Sequence, residues 1–262
     1  MTPGALFLDG RRLESAWLGP NAVDAPTLVL LHEGLGCVAL WRDVPERLAA
    51  ETGCGVFAYS RFGYGQSDPV TVPRPMTYMH DEALQVLPRV LDAAGITRAI
   101  LVGHSDGGSI ATIHAGAIRD PRIVGIVLIA AHFFVEDPNI ASIAHIRSEY
   151  ETTDLRSRLA RYHADVDNAF RGWNDAWLDP RFRDFDITEY LPNIAVPVLA
   201  LQGADDPYGT AAQLKVLERT VRSPLETRLI QGASHAPHLE AKQTTLAAIA
   251  AFARTNLTDH RT

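Results

Sequence analysis

Only two cysteines, Cys37 and Cys54, occur in 262 residues. That is too few for a disulfide framework, and a reducing compartment fits such usage better than an oxidising one. Lysine is as rare: Lys215 and Lys242 are the only two, so the basic side chains are almost all arginine. We read that bias as genomic base composition rather than as function. No basic stripe is visible and the formal charge is −7, which argues against nucleic acid and anionic membranes as partners. No apolar run approaches the roughly 18 residues that a membrane span needs. The first ten residues lack a charged segment followed by an apolar one, so no signal peptide is expected. Internal repeats and low-complexity tracts are also missing. These absences lead to the expectation of a cytoplasmic protein with no membrane partner.

Apolar residues, by contrast, make up 47% of the chain, enough for one large core, or one core plus a small insertion. Their spacing alternates between short buried strands and helices. A hairpin is predicted over 6–8 and 13–17, turning at Asp9-Gly10. Strands follow at 27–32, 55–59, 99–102, 124–130, 196–202 and 226–230. Helices are predicted over 40–52 (ended by Gly53), 76–94 (stopped by Gly95 and kinked at Pro88), 210–221 and 244–254. Strands that are apolar throughout and alternate with helices imply a mostly parallel sheet covered on both faces. Residues 133–192 break the rhythm, with helical stretches at 147–167 and 168–178 but no clear strand. Sixty residues are too many for a loop, so this segment reads as a helical lid inserted after the sixth strand. The core domain is then 1–132 and 193–262.

The most informative stretch is Gly103-His104-Ser105-Asp106-Gly107, which follows an apolar strand and precedes a small-residue helix. That is G-x-S-x-G in its required context of strand, sharp turn and helix. Such a turn presents a serine hydroxyl at the carboxyl edge of the sheet, beside the free N–H groups of a helix start. Serine needs a base to take its proton and an acid to orient that base. Two later loops offer both. Gly203-Ala204-Asp205-Asp206-Pro207-Tyr208 follows one strand, and Gly232-Ala233-Ser234-His235-Ala236-Pro237-His238 follows the next. An oxyanion hole needs two backbone donors. One is expected from Asp106; the other is expected in the loop His32-Glu33-Gly34-Leu35-Gly36.

Together these motifs resemble the α/β-hydrolase superfamily over essentially the whole chain, the loop Tyr59-Ser60-Arg61-Phe62-Gly63-Tyr64-Gly65-Gln66-Ser67-Asp68 included. The resemblance implies Ser105 as nucleophile, Asp206 as acid (with Asp205 as fallback) and His235 as base, leaving His238 to pack or cap. It implies Gly34 and Asp106 as the oxyanion donors. Some members supply the acid after the strand before the lid, where Glu136 and Asp137 stand; a solvated pair is the alternative there. Glu33 replaces a usual glycine and puts a carboxylate near the pocket, and Ser60 replaces a usual aspartate. Asp106-Gly107-Gly108 and Ala130-Ala131-His132-Phe133-Phe134 are similar to the branch of valacyclovir hydrolase-like amino-acid ester hydrolases. In that branch the aspartate beside the nucleophile can bind a substrate amine; otherwise Asp106 supplies only its N–H.

The lid residues Tyr150, Tyr162, Phe170, Trp173 and Trp177 offer an aromatic ceiling, with Phe133, Phe134 and Tyr208 at the rim. Substrate contacts are assigned to Glu33, Phe133, Phe134, Trp173, Trp177 and Tyr208. Arg147, Arg161 and Arg171 could hold a carboxylate or form a solvated face. His163 and Asp165 are too few for a metal site, so no metal and no cofactor are expected. The expected function is a serine hydrolase acting on a small carboxylic ester or related acyl substrate. Lactonase, carbon–carbon hydrolase, perhydrolase or haloperoxidase, and non-catalytic receptor are the alternatives. The oligomeric state is open, a homodimer being one option.

Overall fold

The computed structural model describes residues 1–257, so the end of the expected core segment, 258–262, lies outside the described residues. Eight strands form one sheet in the order β1-β2-β4-β3-β5-β6-β7-β8. They are β1 (Thr2–Leu8), β2 (Arg11–Leu18), β3 (Thr27–Leu31), β4 (Gly55–Tyr59), β5 (Ala99–His104), β6 (Ile123–Ile129), β7 (Val198–Gly203) and β8 (Leu225–Ile230). β1 and β2 form the antiparallel hairpin, β2 pairs antiparallel with β4, and the remaining pairs are parallel.

The helices are α1 (Val44–Thr52), α2 (Tyr78–Asp81), α3 (Leu87–Ala93), α4 (Asp106–Ala117), α5 (Asp137–Thr152), α6 (Leu155–Leu159), α7 (Val166–Leu178), α8 (Ala212–Thr220), α9 (Pro237–Glu240) and α10 (Lys242–Leu257). Successive strand residues face opposite sides, so each strand feeds two cores. Leu28, Leu30, Ile100 and Val102 pack with Val44 and Leu48 of α1 and with Leu246 and Ile249 of α10. Val29, Leu31 and Leu101 pack on the other side with Leu91 of α3, Ile110 of α4 and Leu217 of α8. α4 is buried nearly all round, as a helix between a sheet and a further layer must be.

Three helix expectations change in detail. The helix expected over 40–52 is interrupted: a 3₁₀ turn, Val38–Trp41, ends at Arg42 (φ 54°), and α1 begins anew with Pro45 in its first turn. Over 76–94 a π-helical turn, Glu82–Val86, separates α2 from α3. Pro88 has no N–H and its ring would strike the carbonyl four residues back, and the wider turn removes that conflict. In the inserted segment the helix expected from 147 already starts at Asp137, and the chain leaves it at Thr153 before α6.

The segment between β6 and β7 is closed at its neck. Phe134 bridges Asp186, the Ile187 N–H donates to the Phe133 oxygen (2.8 Å) and the Val135 N–H to the Phe185 oxygen (3.3 Å). From this neck α5 and α7 run over the carboxyl ends of the strands, placing Trp173 and Trp177 above Ser105. Among the described residues no helix is long and apolar enough to cross a membrane.

Candidate active site

Ser105 stands between β5 and α4 with φ 52° and ψ −118°, a conformation that a side chain adopts only under constraint. Its N–H donates to the Ile129 oxygen of the neighbouring strand (2.8 Å), which helps hold the turn. Glycine is obligatory on both sides: a Cβ on Gly103 would overlap the Gly107 carbonyl, and one on Gly107 would overlap that of Leu31. The serine therefore projects at the sheet edge into a cavity of about 110 Å³.

That cavity also receives His235, Trp173, Trp177, Tyr208 and His132. Nδ1 of His235 lies 2.9 and 3.0 Å from the two carboxylate oxygens of Asp206. Asp206 further accepts the Tyr208 N–H (2.8 Å) and the Gln202 amide (2.5 Å). Burial opposes its ionisation, but the bond to His235, its charge and the Tyr208 N–H together hold the carboxyl below its ordinary range. Asp205 is exposed, and its N–H donates to the Ala233 oxygen. His238 is buried against Trp41 and His104, and burial pushes its pKa well down. Glu136 faces away from the serine: it caps α5 and accepts from Thr210 and Gln213. Asp137 is exposed and pairs with Arg183.

The Asp106 N–H opens α4 and has no acceptor within the helix. Its side chain is fully buried. One oxygen accepts the Tyr78 hydroxyl (2.7 Å), the other faces the Trp177 Nε1–H (3.3 Å), and Arg61 lies 3.7 Å away. With its oxygens taken and its charge matched, this carboxylate packs locally; the amine-binding alternative finds no free anion there. Gly34 lies directly under the lid, where an added Cβ would overlap the Trp173 indole. Glu33 lines the cavity and faces His104. Ser60, in place of an aspartate, donates to Glu14 (2.6 Å) and accepts the Val38 N–H (2.9 Å), so the carboxylate at this position comes from β2.

Two expected contacts fall elsewhere. Phe133 is buried in the main core and Phe134 forms the neck of the insertion, because the neck hydrogen bonds turn both away from the cavity. Tyr150 stacks on Phe170 (3.6 Å between centroids) and donates to Asp167, on the lid surface beside Arg147 and Arg171. Tyr162 is largely exposed. His163 accepts the Gly65 N–H and faces the Leu35 oxygen, while Asp165 caps α7. Among the described residues no group of three or more potential ligands is arranged to hold a metal ion.

Three site residues escaped the sequence reading. Arg61, buried, donates to the main-chain oxygens of Glu33 (2.8 Å) and His32 (3.3 Å) and so fixes the loop that presents Gly34. His104 links that loop to His235. His132 stacks on His235 (5.7 Å, 19°) and meets Trp177 edge-on. Its tautomer follows from Asn139. The Asn139 oxygen accepts the Glu136 N–H (2.5 Å) and its amide nitrogen donates to the Tyr208 oxygen, which fixes the amide orientation. The same nitrogen lies 3.2 Å from His132 Nδ1, which must accept, leaving the proton on Nε2. Burial, reinforced by His235, lowers the His132 pKa to about 3, so the ring is a neutral donor beside the serine. Each of these residues stands at the end of a strand or within three residues beyond it, at the reactive edge of the sheet. That position was the available signal.

A mostly parallel, doubly covered sheet with a strained serine turn and an Asp–His pair on the following loops defines an α/β protein built around a nucleophile elbow. Residues 28–248 match the model of the alpha/beta hydrolase family, and the chain belongs to that family. It is 33% identical over 114 residues to a protein of Caulobacter segnis named as a carbamate hydrolase, RutD; the match covers 43% of this chain and 40% of that protein. The chain thus spans two fifths of that relative's length. It is 28% identical over 194 residues to the non-heme chloroperoxidase of Streptomyces lividans, covering 61% of this chain and 68% of that one. Among solved structures, the enol-lactonase from Burkholderia xenovorans superposes with a TM-score of 0.72 at 21% identity, over 95% of this chain and 99% of that one. That likeness concerns the fold.

Proposed function

We propose that this protein is a serine hydrolase that cleaves a small carboxylic ester or closely related acyl compound through an acyl-enzyme. The observation that carries the reading is the shared cavity. Ser105 and His235 open into one space, and the far nitrogen of His235 is held by a buried, ionised Asp206. In this reading His235 takes the Ser105 proton as the oxygen attacks the carbonyl, and returns it to the leaving alcohol. A second cycle, with water in place of serine, releases the acid. The N–H groups of Asp106 and Gly34 stabilise the oxyanion, and Asp206 keeps the imidazole in the productive tautomer. The relatives' names, which include a carbamate hydrolase, support hydrolytic chemistry of this type.

Size narrows the substrate. A cavity of about 110 Å³ is smaller than the ~150 Å³ engineered cavity that holds benzene, which favours a small acyl group. Trp173, Trp177, Ile143 and Leu35 make its walls apolar, and His132 and Glu33 are polar residues on its lining.

A p-nitrophenyl ester panel tests this reading with wild type and Ser105→Ala. Acetate and butyrate should turn over faster than octanoate, and the variant should lose activity by roughly 10⁶-fold. A folded wild type without turnover on any ester would overturn it. The chloroperoxidase relative keeps one second reading open, peracid formation on the same triad. Bromination of monochlorodimedone in the presence of peroxide, acetate and bromide separates the two.

A further inference from the structure

His104 occupies the variable position between Gly103 and Ser105, at the end of β5, with its ring buried. Both of its nitrogens face acceptors. Nε2 lies 2.8 Å from the main-chain oxygen of His235, and Nδ1 lies 3.3 Å from Oε2 of Glu33. A carbonyl has no proton to give, and neither has an ionised carboxylate. Both contacts are hydrogen bonds only when the pair carries one proton more than a neutral imidazole and a free carboxylate would.

The surroundings place that proton on the ring. Burial works against the charge on His104, but the hydrogen bond and the charge of Glu33 outweigh it and raise the pKa above 6.5. Glu33, although poorly solvated, is held far below the ordinary carboxylate range by His104. The other titratable groups facing the ring do not reverse this. His238 on α9, 4.6 Å away, is held neutral by burial, and so is His132 after β6. Asp206 after β7 is ionised and favours the cation, and His235 lies 5.1 Å away between centroids.

We propose that the Glu33–His104 ion pair is a positioning device that ties the oxyanion loop and the base loop to the nucleophile elbow. The enzyme is then competent only while His104 is an imidazolium. The proposal rests on the serine-hydrolase reading above. Glu33 immediately precedes Gly34, so its side chain anchors the loop that presents the Gly34 N–H. On the other side, His104 holds the backbone of the base itself. A carboxylate matched by a buried cation is also no free site for a substrate ammonium, so the pair explains a glutamate in the pocket without amine recognition.

The sign of the pH effect follows. A raised folded-state pKa means that the link is complete below 6.5 and is lost as pH rises through the folded value. Deprotonation releases Glu33 from Nδ1 and frees the Gly34 loop. Trp173, Trp177 and Ile143 reach the cavity from the inserted helices rather than from this loop, so kcat should fall by more than KM rises.

The test has two arms. In the first, ¹⁵N-edited NMR of the wild type follows the His104 ring, assigned with His104→Gln. The expected result is a ring that titrates above 6.5 and is doubly protonated on the acid side of that step. In the second, kcat and KM are measured from about pH 5 to about pH 10 for wild type and Glu33→Gln. The wild-type alkaline limb should coincide with the His104 titration. In the variant it should move toward neutral pH, with kcat about tenfold lower above the limb. A His104 that titrates at or below 6.5, or superimposable profiles, would overturn the proposal. If Glu33→Gln does not fold, the NMR arm decides alone. Fluorophosphonate labelling of Ser105 keeps the two readings apart: a wild type that is not labelled sinks the hydrolase reading and leaves the His104 titration intact.

Discussion

Asp206 is fully buried yet ionised, and three donors hold its two oxygens. Replacing it with Asn keeps the shape but gives His235 Nδ1 a neutral partner, which no longer fixes the tautomer. Asp206→Asn should therefore lower kcat by roughly 10⁴-fold, with KM little changed, in the same ester assay. Gly34 allows a second test at this scale. Gly34→Ala must push Trp173 off the Gly34 loop, so under the proposed function kcat/KM should fall about 100-fold; an unchanged value would show that Trp173 yields freely. The spacing after each strand marked Ser105, Asp206 and His235 as the candidates, because chain order and sheet-edge position restrict where such residues can stand. His104 and His132 were harder, since their roles depend on which acceptor faces which ring nitrogen. That is decided by loops distant in sequence, from Glu33 to Asn139.

At the level of elements, strands were legible because each is a short apolar run with turn residues at its ends. Helix boundaries were less so. α5 begins at Asp137 through a cap built by Glu136 and Asn139 with Pro138 in the first turn, a start signal that weak helix formers then obscure. The π turn before Pro88 has no spacing signature of its own. Between the lid and the sheet lies a buried charged layer that joins α2, α4, α7 and the loop after β4. Arg61 stands 3.7 Å from Asp106, which is also bound by Tyr78 of α2 and Trp177 of α7. Removing the cation would leave Asp106 buried and uncompensated. Arg61→Met should cost about 3–5 kcal/mol in urea unfolding, whereas an effect below about 0.5 kcal/mol, the range of ordinary surface changes, would show that the layer does not act as a unit.

For the whole molecule, histidine burial sets the response to acid. Burial drives the pKa values of His32, His132 and His238 below the 6.5 of an exposed ring, His132 to about 3. The unfolded chain therefore binds more protons than the folded one between 6.5 and those lowered values. The stability these three rings contribute is full above that window and lost as pH falls through it. Asp167 and Asp179, held near 2 against an ordinary 3.8, extend the loss further down. Calorimetry should show Tm declining steadily from about pH 6.5 downward; a Tm that stays level to about pH 4.5 would contradict the neutral, buried state of these rings. The fold as a whole was readable because a doubly covered parallel sheet leaves a periodic imprint, whereas lid packing leaves only composition. One consequence concerns modularity. The single amide of Asn139 joins the start of α5, the Tyr208 carbonyl of the acid loop and the tautomer of His132. The lid is thus no detachable cassette. A chimera whose crossover falls before residue 139 replaces this junction, whereas one that begins after it keeps the amide and has the contacts of Trp173 and Trp177 to match.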